Sequence, residues 1–257
     1  MRRVSLGLTA LMFLVISGIL LGLVLYSPLP VLAGSLANPE IRFAILLSLA
    51  TSVASTCICI AVAVPVAYAL ARYAFPGKRI ATLVLTLPLT LPPLVAGIAL
   101  LLFFGTTPWG KALENAGFAV IFTPLGIIVA EVFVNLPYMV RIMRSAFAAV
   151  NPRFEHVAKT LGCTDSGAFF QVALPMARHG LIAGTVITWA KAMGEFGAVL
   201  MLAGATTMRT ETLPIALYLN ISTGDVDRAV AAATILIFIA IAALCTVEYF
   251  DSDAGVF

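Results

Sequence analysis

Six apolar runs, each long enough to cross a bilayer, decide most of what this chain can fold into. They cover residues 6–26, 43–71, 80–104, 120–140, 181–202 and 229–250. About 20 residues of helix span the ~30 Å of hydrocarbon in a membrane. Inside that layer a segment must satisfy its own backbone hydrogen bonds, so the runs read as helices. Of the 257 residues 61% are hydrophobic and 11% charged, against about 25% charged in soluble domains. The fold expected is an all-α polytopic membrane protein with six transmembrane helices. It forms a single membrane domain over residues 1–257, with no room among them for a second large domain. A net charge of +3 is too small to argue for nucleic acid as a partner; the partner composition does imply is the lipid bilayer.

The runs differ in detail. Arg2 and Arg3 precede the first, and Val31, Leu32 and Ala33 after it could form a cleavage site. A signal peptide needs an apolar core of only about 7–15 residues; this run is longer, and we read it as a retained span. Pro65 is expected to kink the second run. The third carries Pro88, Pro92 and Pro93. Broken helix at membrane depth needs protein or a water-filled cavity to satisfy the freed carbonyls. These prolines mark either a packing kink or a helix lining a pathway. Residues 105–117 and 204–227 read as loops. Cys57 and Cys59 lie in an apolar run without His or acidic neighbours, so they read as small packing residues and no metal site is expected.

Lysines and arginines orient the chain. Arg2, Arg3, Arg72, Lys78, Arg79, Arg141, Arg144, Arg153, Lys159 and Arg178 flank one side; Arg42, Lys111, Arg209 and Arg228 flank the other. The richer side is expected to be cytoplasmic, with both termini and the segment 151–175 on it.

That segment is the longest polar interruption in the chain. Asn151 suits an N-cap and Pro152 the first helical position. Phe154, Val157, Ala158 and Leu161 recur on one helix face, with Arg153, His156, Lys159 and Thr160 largely opposite. Gly162 can end the helix in the left-handed conformation. Asp165 is expected to cap a second short helix that stops at Pro175. By itself this describes an amphipathic hairpin at the membrane surface. No GxxxxGK[ST] phosphate cradle appears, nor an HExxH, a GxSxG or a Cys/His cluster. The chain is therefore not expected to be an enzyme, to hydrolyse ATP or to hold a cofactor or metal.

Three stretches carry a resemblance. Glu155, Ala158, Gly162, Leu174 and Pro175 resemble the EAA loop of ABC-importer membrane subunits, with His156 and Lys159 inside it. The family's strict motif sets Glu six residues before Gly, a place His156 holds here. Glu155 stands seven before, as in the molybdate-permease branch. Leu87 to Leu94, with Ala96 and Gly97 after it, looks like the third-helix signature of molybdate permeases. Gly194, Glu195, Phe196, Gly197 and Ala198 look like the fifth-helix motif that molybdate, tungstate and sulfate permeases share. The resemblance runs from about residue 43 to 250.

It implies a type I importer membrane domain in a prokaryotic cell membrane, translocating molybdate or tungstate by alternating access. It further implies a second copy of the chain, two ATPase subunits that bind ATP and Mg and dock on the loop 151–175, and an extracytoplasmic oxyanion-binding protein. Sulfate or thiosulfate is the alternative substrate. A secondary transporter is a different class, which tends to show inverted repeats; no repeat stands out here.

The polar residues within the spans have two readings each. Lys191 and Glu195 stand four apart, so on one helix face they can neutralise each other. That pairing is the expectation, a gate or subunit-interface role the alternative; Phe196 lies beside them. Glu131 falls mid-span and either hydrogen-bonds a neighbouring helix or is uncharged. Thr86 and Thr90 either offer hydroxyls to a passing oxyanion or back-bond to the carbonyls of the segment containing Pro92 and Pro93.

Overall fold

Pro39 opens the longest helix of the structure, a computed structural model that describes residues 2–26 and 34–252. Asn38 accepts a hydrogen bond from the Glu40 amide, and Pro39 holds the first helical position where no amide donor is needed. This helix, α2 (Pro39–Arg72), continues unbroken through Pro65. Its partner is α6 (Pro124–Ala149), which Thr123 caps by accepting from the Gly126 amide. The two helices form the central interface of the bundle. Ala63, Ala67, Met139, Met143 and Phe147 are buried in one cluster along it.

Around this pair the chain runs as follows. α1 (Arg2–Tyr26) has no buried residue and rests on the last helix, α12 (Val226–Ser252). After α2 come α3 (Lys78–Thr86), a 3-10 turn Leu87–Leu89, and α4 (Pro93–Thr106). α5 (Pro108–Asn115) lies in the connection to α6. α7 (Arg153–Thr160) and α8 (Asp165–Ala168) follow α6; a π-type turn Phe169–Ala173 and a short turn Leu174–Met176 then lead to α9 (Arg178–Met193). α10 (Gly197–Ala203), α11 (Leu213–Ser222) and α12 complete the chain.

Among the described residues, four helices are long and apolar enough to cross a membrane: α1, α2, α6 and residues 226–246 of α12. The count reaches six only if two bent pairs each make one span. The six expected spans are thus present with each bent pair as one span, and the break in the fifth is the one not anticipated. The third run turns by 111° between Leu89 and Pro93, and the fifth by 57° between Met193 and Gly197. Pro92 and Pro93 explain the first break, since neither ring nitrogen can donate to a carbonyl one turn back. The fourth span starts later than expected, because residues 120–122 belong to a loop in which Phe122 has φ 55° and donates its amide to the Leu202 carbonyl. The region 204–227 is not simply a loop. α11 buries Leu213, Pro214, Ile215 and Ala216, and the Leu213 amide donates to the Ser48 hydroxyl of α2. Residues 31–33, where a cleavage site was considered, lie outside the described residues.

Candidate functional site

The segment 151–175 folds as a short helix, a turn and a longer second limb. Asn151 supplies a side-chain cap, its oxygen accepting from the Arg153 amide at 3.0 Å, but it stands one place ahead of Pro152, which holds the N-cap position rather than the first helical one. Gly162 ends α7 with φ 99° and donates to the Lys159 carbonyl. A Cβ there would touch nothing within 4 Å, so the glycine serves backbone conformation rather than space. The next amide, of Cys163, reaches the Ala158 carbonyl. Two further expectations fail. Thr164 rather than Asp165 caps α8, accepting from the Gly167 amide. Asp165 instead pairs with Lys159 across the turn at 2.5 Å. That hydrogen bond holds the Lys159 ammonium above its usual range and the Asp165 carboxyl below its own. Pro175 does not stop the second limb, which carries on through Leu174–Met176 and then into α9.

One side chain fastens α7 to the bundle. Glu155 is 4% exposed, and it is the buried residue of that helix. The Arg72 guanidinium donates to its Oε1 at 2.7 Å, and the Tyr68 hydroxyl donates to its Oε2 at 2.6 Å. Arg72 also donates to the Val150 carbonyl at 2.8 Å, tying the last turn of α2 to the end of α6. Tyr68 is boxed edge-on by Phe147 and Phe169, with ring centroids 5.4 and 4.8 Å away. So the carboxylate has one charged and one neutral donor in a largely dry setting, and charge-assisted bonds of this kind are the strong ones. The apolar row of α7 faces away from this anchor: Phe154, Val157 and Leu161 are 51%, 55% and 82% exposed, and Ala158 is half-buried. His156 is exposed. The expected amphipathic face is thus present: Phe154 borders a recess shared with residues of α6 and α9, and Val157 and Leu161 are exposed beyond it.

The two broken pairs meet. A Cβ on Gly197 would lie 2.9 Å from Pro93 Cβ, and one on Gly97 would lie 2.8 Å from the Ala198 carbonyl oxygen. The starts of α4 and α10 therefore touch backbone to backbone, which only glycine allows. The stretch 92–97 and the stretch 194–198, singled out separately in the sequence, form one contact. Glu195 and Lys191 do not form the expected pair, because the helix that would put them on one face ends at Met193. Glu195 Oε1 accepts from the Ala198 amide at 3.1 Å and so caps α10. The Lys191 ammonium sits 4.0 Å from the centre of the Tyr138 ring. Phe196 packs on Tyr218 with centroids 5.4 Å apart.

The remaining residues resolve plainly. Glu131 hydrogen-bonds a neighbouring helix: the Thr51 hydroxyl of α2 donates to its Oε1 at 3.1 Å. Its Oε2, and both polar atoms of Asn135 one turn on, are buried without a partner among the described residues. The Thr86 hydroxyl donates to the Thr82 carbonyl and the Thr90 hydroxyl to the Leu87 carbonyl, each at 2.8 Å. Of the two readings for these threonines, back-bonding is the one observed. Sequence reasoning missed Tyr68 altogether and counted Arg72 only as a loop charge. Their sole signal was one-turn spacing at the end of a span.

Crossing helices broken at two facing points, and a short helix pinned at one end of the bundle, define a polytopic membrane protein of transporter type. The chain belongs to the family of binding-protein-dependent transport system inner membrane components, whose profile matches residues 60–251. It is a permease subunit of an ABC importer. It is 38% identical over 208 residues to the molybdenum transport system permease protein ModB of Mycobacterium bovis, covering 80% of this chain and 78% of that one. It is 32% identical over 222 residues to the sulfate transport system permease protein CysW of a Synechocystis species, covering 86% and 80%. Its fold matches that of a bacterial alginate ABC transporter, solved in complex with a periplasmic protein bound to an alginate pentasaccharide. There the TM-score is 0.74 at 16% identity, over 99% of this chain and 94% of the other.

Proposed function

We propose that this subunit imports molybdate and tungstate, driven by a separate ATPase that docks on the helix Arg153–Thr160. The observation that carries the coupling reading is the Glu155 anchor with the apolar row it leaves outside. A helix fixed to α2 and α6 on one side, and presenting Phe154, Val157 and Leu161 on the other, can hand motion from a partner to the bundle. Two ATPase subunits, with their own ATP and Mg, would sit below two copies of this chain. Both termini would then lie in the cytoplasm of a prokaryotic cell, and a binding protein outside would deliver the oxyanion. Support for the substrate is the 38% identity to a molybdenum permease beside 32% to a sulfate permease. That margin favours molybdate and keeps sulfate as the second reading.

Competition for uptake tests the substrate. Cells carrying this chain with its ATPase and binding protein are given labelled molybdate. Equimolar tungstate, nearly the same in size and charge, is expected to compete, and sulfate only in large excess. Competition by sulfate without competition by tungstate would replace this reading with the sulfate one.

A further inference from the structure

We propose that α3 and Arg144 form a site for an acidic phospholipid, its phosphate among three cations and its acyl chains along α3. Lys78, Arg79 and Thr82 of α3 and Arg144 of α6 line one open recess of about 420 Å3, with Leu83 at its edge. No carboxylate lines it among the described residues. Three cations of this chain have carboxylate partners among the described residues: Arg72 has Glu155, Lys159 has Asp165, and Arg228 has Glu40 and Asp225. Lys78, Arg79 and Arg144 have no carboxylate within 4.0 Å among those residues. Lys78 has one hydrogen bond, donated to the Tyr73 carbonyl. Three like charges brought together from two helices repel one another, and an anion between them relieves that cost.

The apolar half of the site is α3 itself. Ile80, Leu83, Val84 and Leu87 are 67%, 62%, 64% and 57% exposed and recur on one helical face. A helix with cations at one end and such a stripe beside them suits the boundary between headgroups and acyl chains. The 111° bend after Leu89 turns α3 sharply away from α4, as that placement needs. Charge and stripe together select a ligand that is anionic at one end and hydrocarbon at the other.

The test uses the full chain purified in detergent, with bound lipid read by native mass spectrometry. Phosphatidylglycerol is expected to be retained over phosphatidylcholine. R144Q should lower phosphatidylglycerol retention about fivefold, which is about 1 kcal/mol for one basic residue near an anionic surface. R144K should restore it, and phosphatidylcholine should not change in either variant. Wild-type retention in both R144Q and the double variant K78Q/R79Q would overturn the site. A measurement on the unaltered chain keeps the idea testable should the variants fold poorly: diacylglycerol, which lacks the phosphate, should be retained far less. Equal retention would overturn the role of the cations. Displacement of phosphatidylglycerol by millimolar inorganic phosphate or molybdate would make the recess a free-oxyanion site and overturn the lipid assignment.

Discussion

At the scale of single residues, the consequential triad is Glu155, Arg72 and Tyr68. The Glu155 and Arg72 side chains are 5% and 10% exposed, so neither charge has water to fall back on. Removing one partner of such a buried pair leaves the other uncompensated, at a cost of about 3 kcal/mol at the low end of the usual range. The low end applies because Arg72 keeps the Val150 carbonyl. Glu155→Ala is therefore expected to insert into the membrane but to release α7 from the bundle. Hydrogen exchange should speed up across residues 151–162 and uptake should be lost. Glu155→Gln, which can still accept from Tyr68, should show a smaller change in both. Unchanged protection of that stretch in Glu155→Ala would remove the anchor from the account.

At the scale of elements, the two breaks matter most, and they were unequally legible. The prolines of 88–93 announce irregular backbone, because Pro removes a donor wherever it stands. The break at 194–196 contains no proline, and the i,i+4 spacing of Lys191 and Glu195 presupposed a helix that ends before Glu195. Tertiary contact made that break: Gly197 packs on Pro93, and Glu195 turns to cap α10. Long apolar runs could be read because hydropathy is local. The Glu155 anchor could not, since Arg72 and Tyr68 lie 83 and 87 residues away in the chain. The capping of α7 by Asn151 and its end at Gly162 were readable, being decided within a turn. A test of the contact between the breaks is Gly97→Ala. Its Cβ would meet Ala198 backbone atoms at 2.8 and 2.9 Å, so α10 must move. Such overpacking costs about 1–3 kcal/mol. The thermal midpoint in detergent should fall and uptake with it; a wild-type midpoint would mean the two starts are less tightly joined than the structure has them.

At the scale of the whole molecule, the chain exposes far more surface than it could in water. Its accessible area is 14,917 Å2 for 27.0 kDa, where a soluble monomer of that mass exposes about 10,800 Å2. Much of the excess is apolar and belongs to spans such as α1, which lipid would cover. The row Phe154, Val157 and Leu161 is different. It lies on a helix of eight residues and its C-cap, Leu161, too short to cross hydrocarbon, beside the charged pair Lys159 and Asp165. An exposed apolar row with a charged rim is the usual make-up of a protein interface. On the proposed reading, force for transport comes from a separate ATPase, and this row is where it would enter. Val157→Asp with Leu161→Asp should leave insertion and thermal midpoint near normal, because both side chains already face outward. The ATPase should no longer co-purify, and uptake should stop. The unaltered chain alone should hydrolyse no ATP, while its mixture with the ATPase should. Full co-purification with the double variant would move the docking surface elsewhere, and ATP hydrolysis by the isolated chain would overturn the division of labour itself.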